Sequence, residues 1–252
     1  MYRSGNPALN DSTFEKSAYK EVSWWEDSES NLMSMNGVVD KTALLLTIVT
    51  LTAIAVYLTV PISLFLSLLG AIVGFVVALI IIFSGSMNPI LICTYAACQG
   101  LFLGGITWII EYQYNAPGLG IVAAVLTFLI LGVMLSIYRA GLISWNKNMQ
   151  IAVTSSMVAI LLIYLVSFIR SFVGFEVPLI HGNGAVGIAF SVFVVGIASL
   201  CLVADFDFIE RGVERGAPKQ LEWRAAFGLL VTLIWLYLEI LKLLAKLAAS
   251  RR

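Results

Sequence analysis

The chain has 252 residues, 60% of them hydrophobic and 12% charged, with fifteen basic and fifteen acidic side chains in balance. Soluble domains carry about a quarter charged residues, so this chain cannot cover a soluble surface and reads as a polytopic membrane protein in a lipid bilayer. With no net charge and no arginine-rich or aromatic-interleaved tract, no nucleic acid is expected as a partner.

Residues 1–41 form a polar tail rich in Ser, Asn, Asp and Glu, and its "SWWEDSESN" stretch offers Trp24 and Trp25 as headgroup-level anchors. The first apolar run begins only after Lys41, so no cleavable signal peptide is expected and the first helix directs insertion. A span needs about 20 apolar residues. Such runs lie near 42–60, 62–83, 89–110, 118–138, 151–173, 184–208 and 224–247. Pro61, "SGSMNP", "EYQYNAPG", "YRAGLISWNKNMQ", "EVPLIHGNG" and "ERGVERGAPKQLEWR" separate them. The fold expected is all-α: a seven-helix transmembrane domain over 42–248 and a basic end at 249–252. Six spans is the alternative, because the break at Pro61 is weak.

Lys and Arg set the orientation. With seven spans, one side holds Arg3, Lys16, Lys20, Lys41, Arg139, Lys147, Arg211, Arg215, Lys219 and, at its edge, Arg224. The other holds Arg170, Lys242, Lys246, Arg251 and Arg252. This bias puts the N-terminus in the cytoplasm, with the basic C-terminus discordant.

Cys93, Cys98 and Cys201 lie in apolar runs without C-x-x-C spacing and read as small buried hydrophobes. His181, the one histidine, stands in a polar loop without partners for a zinc site or a catalytic triad. No enzyme activity and no cofactor are expected. Gly70 with Gly74, and Gly100 with Gly104, have the small-xxx-small spacing that lets helices approach, with a pore lining as the lesser alternative.

Ionisable groups at membrane depth are functional candidates by default. Glu111 and Glu176 fall at helix ends and are expected to be solvated, and Arg170 is placed to snorkel. Gln99, mid-span in "YAACQGLFLGG", needs a hydrogen-bond partner. Asp205 and Asp207 fall at the inner end of span six and, at i and i+2, point to different sides. Glu239 follows Ala225–Leu238, a stretch without a charge. It reads either as a partner of Lys242 at i+3 or as a buried carboxylate without a cation, which would hold its proton near neutrality and respond to pH.

"ADFDFIERG", "GAPKQLEW" and "AAFGLLVTLIWLYLEILKLLA" resemble the closing helices of the Bax inhibitor-1 (transmembrane Bax-inhibitor-motif) family. "SGNPAL" and "YRAGLI" resemble its bacterial YccA-type branch, and the likeness covers about the whole chain. The resemblance implies a seven-helix bundle around a central last helix, in a bacterial plasma (inner) membrane. It also implies a pH-sensitive calcium leak controlled by two carboxylates. Asp205 matches the family's acid in the "DF" element, and Glu239 falls on its "YLD" aspartate, one methylene longer. Gln99 stands where relatives often carry an acid.

On this reading Asp205 and Glu239 are the pH-sensing gate and a transient Ca²⁺ contact, with Asp207 and Gln99 secondary. Two carboxylates in contact cannot both ionise cheaply, so they share a proton. Protonated, they hold two helices together; deprotonated, they repel and their oxygens suit a hard cation. Glu239 lies about 15 residues into its span, roughly 22 Å, so a meeting with Asp205 requires longer helices than the hydropathy draws. The alternative function is a membrane regulator that binds a membrane-embedded quality-control protease through its tail. Nothing in the sequence fixes an oligomeric state.

Overall fold

The computed structural model describes residues 31–59, 63–173, 182 and 184–250, with the side chains of 63, 168 and 170–173 outside the description. Among these residues seven helices occur: α1 (Met35–Leu58), α2 (Ser63–Ser84), α3 (Pro89–Gln113), α4 (Leu119–Arg139), α5 (Lys147–Val173), α6 (Ala185–Glu214) and α7 (Leu221–Ser250). All seven are long and apolar enough to cross a membrane. In hydrocarbon a backbone must satisfy its own polar groups, and a helix does so within one segment. The expectations for Trp24, Trp25, Glu176 and His181, and for the Arg170 side chain, lie outside the described residues.

The largest departures from the hydropathic spans are the start of the first helix and the end of the sixth, each for a local reason. The first helix begins at Met35 rather than near 42, because Ser34 caps it and its hydroxyl accepts from Gly37 N at 3.0 Å. The sixth runs on to Glu214 rather than ending near 208. Charged residues lower the hydropathy there, but Arg211 pairs with Asp207 one turn back and the helix continues. Gly216, at φ 64°, then stops it: Ala217 N donates to Gly212 O and Gly216 N to Val213 O. The seventh begins at Leu221 rather than 224.

The chain divides into two compact units, Met1–Ile109 with Asp205–Val231, and Ile110–Ala204 with Thr232–Arg252. In the first unit the glycine pairs are packing contacts. A Cβ on Gly70 would meet the Cys98 carbonyl and Leu101, and one on Gly74 would meet Gln99, so α2 lies close on α3. Cβ atoms on Gly100 and Gly104 would run into Thr52 and Ala53, which seats α1 on the other face of α3. Tyr95 packs edge-on against Phe227 at 4.9 Å. Met33 and Val38 join Phe208, Ile209, Ala217, Leu221 and Ala225 in one apolar cluster.

In the second unit Cys201 Sγ lies 3.3 Å from Met157 Sδ, and Tyr164 meets Phe190 edge-on, which packs α6 against α5. The outward faces carry large apolar side chains such as Phe65, Phe75, Phe83, Ile121 and Leu161, a surface suited to lipid. The resemblance places the last helix at the centre. It is the most buried of the seven helices.

Candidate functional site: acids inside the membrane-spanning helices

Glu239 is 2% exposed on α7. A buried carboxylate is tolerated only when its oxygens are satisfied and its charge is matched. Trp235 Nε1 donates to Oε1 at 3.0 Å, and Lys242 Nζ to the same oxygen at 2.7 Å. Tyr164 Oη, from α5, donates to Oε2 at 2.9 Å. Lys242 Nζ also donates to Tyr164 Oη at 3.1 Å and stands 4.5 Å from the centroid of its ring. Carboxylate, hydroxyl and ammonium thus close a ring. The pairing with Lys242 that the i+3 spacing offered is present. Tyr164 and Trp235 were read only as parts of apolar runs. Trp235 was findable, since it precedes Glu239 by one turn and shares its face; Tyr164 comes from another helix and left no local signal. One turn further on, Lys246 Nζ donates to Gly187 O at 3.0 Å and Ser191 Oγ at 2.9 Å, tying α7 to α6.

Asp205 is fully buried, well inside α6 rather than at its end. It belongs to the first unit and Glu239 to the second. Asp207 is half-buried and paired with Arg211, so the two acids differ in environment as their i, i+2 spacing requires. Gln99 is half-buried on α3, its amide Nε2 3.2 Å from where a Cβ on Gly74 would stand, a packing position. Among the described residues no group of three or more His, Cys, Asp or Glu side chains is arranged to hold a metal ion.

Two further acids are buried, one misplaced by the sequence reading and one missed by it. Glu111, expected to be solvated, is buried: its Oε1 accepts from Gly120 N at 2.8 Å in the first turn of α4. That turn has free N–H groups and the positive end of the helix dipole, so it draws the carboxylate in from water. Glu222, in the first turn of α7, is fully buried. It accepts from Ser34 N at 2.9 Å and Ser34 Oγ at 3.1 Å, and it pairs with Lys41 of α1. A Cβ on Gly37 would overlap this carboxylate. Met33 N donates to Ala217 O and Lys219 N to Asn31 O, completing the strap of residues 31–41 across the 215–222 turn. A contact between residues 181 apart has no local signature in sequence.

Seven apolar helices with carboxylates buried inside them define a multi-pass helical membrane protein. The family model described as Bax inhibitor 1 like matches residues 6–249, and the chain belongs to that family. None of the curated proteins matches the chain.

Proposed function

We propose that this protein is a pH-sensitive cation leak, with calcium the permeant ion and Asp205 and Glu239 the carboxylates that carry the response. The observation that supports this most is the burial of both acids, 0% and 2% exposed, within helices of membrane-crossing length. Carboxylates at that depth are costly and favour a task over mere solvation. Their oxygens are the ligands a hard cation takes, and proton binding cancels the charge that attracts it. The reading puts the protein in the bacterial YccA-type branch and in an inner membrane, with its N-terminus on the cytoplasmic side that holds ten of the fifteen Lys and Arg residues.

The test is reconstitution into liposomes loaded with a calcium-sensitive dye, over a series of pH values. Flux should exceed that of protein-free liposomes and rise with pH as the carboxylates lose protons. Flux equal to the protein-free control at every pH contradicts the leak. The competing reading, a regulator of a membrane-embedded protease, acts through the tail. Deleting residues 1–30 should leave flux intact if the leak is the function.

A further inference from the structure

Asp205 is fully buried on α6, and Phe208 and Ile209 follow it at i+3 and i+4, on the same face and one turn nearer the α6–α7 turn. Water moving along that face from the end of α6 meets this pair first. Met33 and Val38 close over the pair, with Leu221 of α7 in the same cluster and Met87 packed against it. The apolar hold of residues 31–41 on this layer is small, two buried side chains, and the polar hold is larger. Glu222 accepts from Ser34 N and Ser34 Oγ and pairs with Lys41, while Met33 N donates to Ala217 O at 2.6 Å. Membrane helices associate by apolar packing without such a clamp, and a buried ion pair adds little net stability over apolar side chains of the same volume. It does make the contact all-or-none: losing one partner leaves the other buried and unmatched, so the segment is held whole or not at all.

We propose that the strap of residues 31–41 is a lid over the approach to Asp205 from the α6–α7 turn, and that Glu222 is its latch. The Ser34 hydroxyl that donates to Glu222 also accepts from Gly37 N at 3.0 Å. When the carboxylate lets go, Ser34 therefore still caps α1, and the strap lifts together with the first turns of that helix. Lifting takes Met33 and Val38 off Phe208 and Ile209 and admits water to the Asp205 face. The lid's control of ions rests on the leak reading; its opening does not.

The experiment uses the full-length chain with Cys93, Cys98 and Cys201 replaced by alanine, and has two arms. In the first, Ile209→Cys places a single thiol under the lid, and its reaction with a water-soluble thiol reagent is timed in detergent micelles. Adding Glu222→Gln should speed the reaction about tenfold or more, because losing a hydrogen bond to a charged group shifts an opening equilibrium by at least that factor. Gly37→Ala, whose methyl group would overlap the Glu222 carboxylate, should speed it too without removing a charge; it carries the arm if Glu222→Gln fails to fold. A thiol that reacts no faster in either variant overturns the lid. In the second arm, Leu32→Cys and Pro218→Cys lock the lid. These residues face each other in an antiparallel bridge, where Cα atoms stand about 4.5–5.5 Å apart, a separation that a disulfide spans. In liposomes the oxidised protein should pass calcium no faster than the protein-free control, and a reductant should restore the flux. Faster labelling beside liposomes that never leak would sink the leak and leave the lid. Leaking liposomes with the same flux oxidised and reduced would leave the leak and overturn the lid's control of it.

Discussion

Glu222 and Glu239 stand on the same helix, 0% and 2% exposed, and take their positive charge from different places. Glu222 receives Lys41 from α1, together with the backbone N–H and hydroxyl of Ser34, and the missing side chain of Gly37 makes room for it. Its cation is only 18% exposed. Glu239 receives Lys242 from its own helix, and that cation is 42% exposed. Depth of burial does not separate the two acids; the origin and exposure of the counter-charge do. The first pair clasps the strap of residues 31–41 to the start of α7. The second closes within α7 and ties it to Tyr164 of α5.

Substitutions test this contrast, the largest effect first. Glu222→Gln leaves Lys41 against a buried neutral amide and should cost about 3 kcal/mol of unfolding stability, as breaking a buried pair does. Exchanging both charges, Lys41→Glu with Glu222→Lys, should recover part of it; a loss under about 0.5 kcal/mol in the single variant, the range of surface substitutions, would dissolve the distinction. Gly37→Ala should cost about 1–3 kcal/mol by overpacking, although alanine is the better helix former by about 1 kcal/mol. Thermal unfolding in micelles reads both. Glu239→Gln should cost less than Glu222→Gln, about 1–2 kcal/mol, since Lys242 can turn outward. Equal losses would erase the difference between the pairs. Trp235→Phe removes one hydrogen bond and should cost about 1 kcal/mol.

The apolar runs made the seven helices legible, because the bilayer demands length and hydrophobicity and little else. Their ends were less so. Ser34 and the Asp207–Arg211 pair carry α1 and α6 into sequence that hydropathy scores as loop, and Gly216 ends α6. Within the site, Glu239 and its pairing with Lys242 were readable from helical spacing. Tyr164 was not, nor was the Lys41–Glu222 pair, since each comes from a distant part of the chain. Glu111 was misplaced because a helix-end position was equated with water, when the next helix's first turn supplied the donor. Orientation rests on charge counting and has its own check. A cysteine at Ser28 should resist an impermeant thiol reagent added to intact cells, and one at Ser250, across seven spans, should react.

The most direct test of the account is calcium flux against pH in liposomes holding wild type, Asp205→Asn, Glu239→Gln, the double variant and Asp207→Asn. The account predicts that each of the first two substitutions flattens the pH response and that the double variant responds no more than either. Asp207→Asn, whose acid is already paired with Arg211, should keep the response. A full pH response in both Asp205→Asn and Glu239→Gln would contradict the claim that these buried carboxylates carry it.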